Sequence, residues 1–178
     1  ERFRRQRQMC IRDSSKPMVR LLGSGAILNE CLKAHEILKQ FDISSEVWSV
    51  TSFNMLRKDG MEIENANLKN PSKTPQASYV EQSFAHENIP AVAATDYMRA
   101  YAEQIRPFVK GTYLTLGTDG FGRSDSRKKL REYFEVDANN IAATAAYALL
   151  QDQTIDKKQV GKIYEKLGIN KDLSLIHI

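Results

Sequence analysis

Residues 116–127, LGTDGFGRSDSR, gather residue types that hold anions or fix a contact between domains. Gly117, Gly120 and Gly122 permit positive φ and close backbone approach. Ser124 or Asp125 can cap the helix that follows. Arg123 and Arg127, with nearby backbone N–H groups, form a donor set for phosphate or carboxylate. Equally, the arginines can pair with Asp119 and Asp125, or with a neighbouring domain. Residues alone leave both readings open. Thr95-Asp96 closes another apolar run, at the strand edge where α/β proteins place ligands. Either side chain is also a usable N-cap.

Other candidate chemistry is weaker. Gly23-Ser24-Gly25 sits at a strand-to-helix turn, but Leu28 occupies the third glycine position of a dinucleotide fingerprint. No Gly-Lys-Ser/Thr follows the 117–127 turn, so it is not a Walker loop. Cys31 and His35 have the i, i+4 spacing of two metal ligands on a helix. No further His or Cys cluster completes a closed site, which makes them a core pair. His86 reads as a solvated loop residue. Ser124 and Ser126 lack a nearby His-acid partner for nucleophilic hydrolysis. No complete active site emerges.

These residues need a frame, and the chain alternates strand and helix. Met18 to Leu22, Val47 to Val50, Ala91 to Ala94 and Tyr113 to Leu116 are short apolar strands. Between the first two lies an amphipathic helix carrying Ile27, Leu28, Cys31, Leu32, Ala34, Leu38 and Phe41. Residues 60–78 lose all periodicity and read as a long irregular connection. A short helix around Tyr79 to Phe84 follows, and another runs from about Met98 until Pro107 stops it. Arg127 to Phe134 is helical. Asp137 caps an alanine-rich helix, and Asp156 opens a last one that Gly168 ends. Phe134 and Val136 alternate with Glu135 and Asp137, which allows one more short edge strand. The expected fold is α/β: three layers, a mostly parallel sheet of about five strands, helices on both faces.

Charge and ends narrow the classes further. Residues 1–16 carry six basic and two acidic side chains, a net of +4 that equals the excess of the whole chain. A nucleic-acid footprint belongs on the folded face, so nucleic-acid binding is rejected. Residues 1–16 and 173–178 resemble translated sequencing-adapter sequence and are set aside as non-native tails. A genuine disordered basic arm is the alternative for the first. Residues 17–172 are then one domain, of a protein expected to extend further at its N-terminus. Without Cys10 only Cys31 remains, which suits a reducing cytoplasmic location. No run of about 18 apolar residues exists to span a membrane.

Several segments together carry a resemblance: LLGSG, WSVTSF, PAVAATDYMRAYAEQIRPFV, YLTLGTDGFGRSDSR and LREYFEVDA. They resemble the C-terminal domain of the homodimeric decarboxylating component of bacterial pyruvate dehydrogenase, a transketolase-like thiamine diphosphate family. The likeness covers about residues 17–170. Acetoin and branched-chain relatives lack this form of TDGFGRSDSR and fit less well. The resemblance implies decarboxylation of pyruvate and transfer of the two-carbon unit to a lipoyl group. It implies thiamine diphosphate and Mg²⁺ held by the protein's own N-terminal and middle domains, and none bound here. It further implies a second subunit in a homodimer and a lipoyl acetyltransferase partner. The chain has no Gly-Asp-Gly followed by a distant Asn, in keeping with that division. On this view Thr95, Asp96, Asp119, Gly120, Gly122, Arg123, Ser124, Asp125 and Arg127 support an interface or the active site, with none catalytic. One departure stands out: the family usually has a Trp and extra basic residues there, whereas EIENANLKNPSKTPQASYV has neither Trp nor Arg. A free-standing anion- or nucleotide-binding module is the alternative reading.

Overall fold

The computed structural model describes residues 16–84 and 88–169. The readings made for both tails, Cys10 and His86 lie outside them. Four parallel strands form one sheet: β1 (Met18–Gly23), β2 (Ser44–Ser49), β3 (Ala91–Ala94) and β4 (Tyr113–Leu116), in the order β2-β1-β3-β4. Register runs from Met18 opposite Ser44, through Arg20 opposite Ala91, to Ala91 opposite Tyr113. Side chains alternate between two buried faces, as a parallel sheet with covered faces requires. Val19, Leu21, Val47, Val92, Ala94 and Leu116 enter one core, and Leu22, Ala91, Ala93 and Tyr113 the other.

Helices α1 (Leu28–Lys39), α6 (Ala138–Gln151) and α7 (Lys157–Leu167) build the first face. Ala142, Ala145, Ala146 and Ala148 of α6 are buried. Their small side chains let the helix lie close to the all-small strand β3. Asp137 and Asp156 cap α6 and α7 through side-chain oxygens that accept backbone N–H bonds, and Gly168 ends α7 at φ 64°. The second face carries α2 (Phe53–Lys69), α3 (Tyr79–Ser83) and α4 (Arg99–Glu103), and α5 (Arg127–Tyr133) follows the glycine turn.

Four expectations need correction. Strand β2 is Ser44–Ser49 rather than Val47 to Val50, because its inward positions begin at Ser45, a buried serine bonded to His35 that shows no apolar signal. Residues 60–69 are not irregular: they belong to α2, and only 70–78 form a connection. Ser52 caps this helix by accepting the Met55 N–H. Its inward stripe is Phe53, Leu56, Asp59, Gly60, Ile63 and Asn67, a helical period half of which is written in polar or small residues. Asp59 accepts from the Tyr79 N–H and Asn67 exchanges two bonds with Gln76. Hydrogen bonds do there what apolar side chains do elsewhere, so hydropathy shows no period. The fifth strand is absent among the described residues. Glu135 adopts φ 57°, which breaks extended backbone, and the Val136 N–H bonds back to the Arg131 carbonyl. Finally, α4 stops before Pro107, which sits inside a 3₁₀ turn at Arg106–Phe108. The Tyr113 hydroxyl donates to the Ala102 carbonyl, the acceptor a continuing helix would use for Arg106.

His35 and Cys31 lie in the α1 core. The His35 ring bonds the Ser45 hydroxyl at 2.7 Å, with Glu36 at 3.7 Å from Nε2. Burial pushes the Cys31 thiol up to about 12, with Glu30 adding to the effect. Burial first, then the charge of Lys39, holds His35 below its ordinary value, against opposing contributions from Glu36 and Ser45. The unfolded chain therefore binds this proton more readily. Stability from the neutral ring is present above about pH 6.5 and is lost as pH falls below that unfolded value. The urea midpoint of His35→Gln should fall less between pH 7.5 and pH 5.5 than that of the native chain. Equal falls would count against this account.

Candidate functional site

Loops at the carboxyl ends of β1, β3 and β4 meet where the strand order reverses, between β1 and β3. Ser24 donates through its hydroxyl to Thr95 Oγ1 at 2.8 Å, and the Tyr97 N–H donates to the same oxygen at 3.2 Å. Thr95 is fully buried and stitches the crevice shut. Beside it opens a cleft of about 300 Å³ lined by Ser24, Thr51, Ser52, Asn54, Tyr97 and Tyr101, among others.

The 95–99 and 116–119 loops are zipped together. Thr118 donates its N–H to the Tyr97 carbonyl at 2.9 Å and its hydroxyl to the Asp96 carbonyl at 2.8 Å. Asp119 Oδ1 accepts the Arg99 N–H at 3.0 Å, so Asp119 caps α4 from outside it. Neither Thr95 nor Asp96 caps that helix, whose N-cap residue is Met98. Gly117 is buried between the loops. Gly120 adopts φ 95°, a conformation an L side chain resists, whereas Gly122 is not at positive φ and a Cβ there meets nothing within 4 Å.

Beyond Gly120 the arc is exposed through Arg127. Ser126, not Ser124 or Asp125, is the N-cap of α5, accepting the Lys129 N–H. Asp125 accepts the Ser126 N–H. Arg123 lies over the Tyr133 ring at 4.1 Å. Among the described residues neither Arg123 nor Arg127 forms an ion pair, so the expected pairing with Asp119 and Asp125 is not made. Thr95, Asp96 and Asp119 are thus brought into one hydrogen-bonded knot, while Ser124, Asp125 and Arg127 are not.

Sequence reasoning passed over the apolar side chains at this edge. Phe121 is 89% exposed and Tyr97 66%, with Met98 and Tyr101 also outward, and the Tyr97 and Tyr101 rings are 5.6 Å apart. Exposed aromatic and apolar side chains grouped at one edge are a common feature of interaction surfaces. The available signal was four large apolar residues immediately beyond two strand ends. Gly120→Ala should cost about 1 kcal/mol by forcing a side chain into positive φ, and Gly122→Ala close to nothing. Chemical denaturation of both variants checks the difference.

A parallel sheet of this order, with helices on both faces and its loops gathered where the strand order reverses, defines a doubly wound α/β domain. A family model described as the transketolase-like TK C-terminal domain matches residues 9–137. The chain belongs to that family. A protein named "Pyruvate dehydrogenase E1 component" from Pseudomonas aeruginosa is 48% identical over 156 residues, covering 86% of this chain and 18% of that protein. Its namesakes from Escherichia coli and Cupriavidus necator are 46% and 42% identical, each covering 90% of this chain and 18% of theirs. The chain therefore spans less than one fifth of the curated relatives it matches. A split-gene transketolase, titled an inactive β4 tetramer, superposes with TM-score 0.55 at 15% identity, over 76% of this chain and 40% of that one. A transketolase from Pichia stipitis gives 0.53 at 14%, over 82% and 18%. These structures show the fold.

Proposed function

We propose that residues 17–172 are the C-terminal domain of a thiamine diphosphate-dependent enzyme that decarboxylates pyruvate and acetylates a lipoyl protein. The reading is carried by identity of 42–48% across nearly the whole chain to proteins of that name. On this reading residues 1–16 and 173–178 are non-native tails, and the location is cytoplasmic. Among the described residues no helix is long and apolar enough to cross a membrane.

The cofactor belongs to other parts of the protein. Among the described residues no three His, Cys, Asp or Glu side chains gather to hold a metal ion. The carboxyl edge presents hydroxyls, tyrosines, arginines and the carboxylates of Asp96, Asp119 and Asp125, of which Asp119 is taken up in capping α4. These carboxylates do not converge as a Mg²⁺ site needs. This domain's part is support. Thr95, Asp96 and Asp119 hold the two loops rigid, and Gly120, Gly122, Arg123, Ser124, Asp125 and Arg127 present the exposed arc to the N-terminal and middle domains or to the second subunit. The lipoyl acetyltransferase component is the partner of the assembled enzyme.

The test is a chimera in which residues 17–169 replace the matching segment of the Escherichia coli relative. It should decarboxylate pyruvate and acetylate a lipoyl domain. A folded chimera that binds thiamine diphosphate yet does neither would sink the reading. In that chimera Arg123→Ala should weaken domain docking, seen as a lower dissociation or melting midpoint, with little change in thiamine diphosphate affinity. Collapse of cofactor binding with docking intact would reverse the assignment. A free-standing ligand module would instead show a rise of several degrees in Tm with one nucleotide or phosphate.

A further inference from the structure

Helix α2 turns its glycine inward and two large apolar side chains outward. Gly60 faces the Phe108 ring, while Met61 is 47% exposed and Leu68 74%. At 3.6 residues per turn, Asn54, Met61 and Leu68 recur every seven residues and align on one side. Arg57 and Glu64 fall on one shoulder of this seam, Lys58 and Asn65 on the other. All of them line one shallow groove. The returning 70–78 connection is tied to Asn67 and the Tyr79 backbone to Asp59, both on other sides of the helix, so the seam stays open.

The charges on this seam are ordered. Arg57 lies in its N-terminal half and Glu64 in its C-terminal half, and among the described residues neither has an ion-pair partner. Lys58 meets Glu62 only at 3.8 Å, with both 68% exposed. A second α2 laid antiparallel, with a two-fold axis at Met61, sets Met61 against Met61. It also sets Arg57 beside Glu64 of the other copy, Lys58 beside Asn65 and Asn54 beside Leu68. Symmetry repeats each contact, giving two new ion pairs around an apolar centre. A parallel arrangement would put like charges together. The face supplies its own complement, the mark of an isologous contact.

We propose that the outer face of α2 is an interaction surface for a second copy of this chain, packed antiparallel about Met61. The proposal deepens the subunit reading above and rests on it for the partner being a second copy. One helix face is small beside the roughly 1,600 Å² of a stable complex, so other domains must reinforce the contact in a longer protein. Covalent trapping suits a weak contact of this kind.

The experiment uses the 178-residue chain with Cys10→Ser. Met61→Cys should form a disulfide-linked dimer under mild oxidation at least about 10-fold faster than Lys158→Cys on exposed α7. In the Met61→Cys background, Arg57→Glu or Glu64→Arg should each slow trapping by roughly 10-fold, and the two together should restore it. Trapping no faster than at Lys158→Cys overturns the proposal. So does trapping that ignores both single reversals, because the contact would then use another face. An inactive chimera with α2 trapping intact would sink the functional reading and leave this surface standing.

Discussion

Gly117→Ala is expected to destabilise the chain by roughly 3 kcal/mol, at the upper end of what overpacking costs. A Cβ built at this position lies 2.7 Å from the Arg99 nitrogen and the Tyr97 carbonyl oxygen, and 2.9 Å from the Arg99 Cα. All three are backbone atoms, which cannot swing aside as a side chain can. They also belong to the zipper itself: the Tyr97 carbonyl accepts from Thr118, and the Arg99 N–H donates to Asp119. One added methyl group must therefore push apart the loops that hold the carboxyl edge together. Urea unfolding measures the loss, and Gly122→Ala, five residues further along the same loop, is the matched control. A midpoint for Gly117→Ala within error of the control would mean the loops yield easily and the edge is not rigid.

Glu30→Ala is the second large effect, at about 3 kcal/mol, the scale for stripping one member from a buried charge network. Glu30 sits on α1 with its side chain 7% exposed. One carboxylate oxygen accepts from Lys33 at 2.9 Å and Arg131 at 2.8 Å, and the other from the Ala138 N–H at 3.2 Å. It thus joins α1 to α5 and to the first turn of α6, the two helices that follow the glycine turn. Alanine would leave the largely buried Arg131 guanidinium and a buried N–H without their acceptor. Glu30→Gln, which keeps an acceptor oxygen but no charge, should cost about half as much. A cycle with Arg131→Ala should return a coupling of about 1–2 kcal/mol. A cost for Glu30→Ala below about 1 kcal/mol would show that Arg131 finds water instead. Nothing in the sequence flags this network, because glutamates on helices are mostly exposed.

Where burial and secondary structure share a period, the chain was legible. Strands β1, β3 and β4 and the capped helices α6 and α7 stand where short apolar runs, Asp137, Asp156 and Gly168 place them. Helix α2 was not read from the sequence, since beyond Phe53 and Leu56 its inward stripe uses Asp59, Gly60 and Asn67. The site divides in the same way. Glycines and arginines marked the 117–127 turn from spacing alone. That Asp119 caps α4 across 20 residues, and that Arg123 stacks on Tyr133, are contacts between segments.

By itself the sequence determined the α/β class, three of the four strand positions and the family, through local pattern and long runs of matching residues. Tertiary structure alone decided which side chains of α2 face water, that Asp119 caps α4 from another loop, and that Glu135 turns the chain instead of extending it. The reason is physical. Periodicity records only whether a position is apolar, whereas the choice between a buried hydrogen bond, a close backbone approach and an exposed seam depends on what a distant segment brings against it.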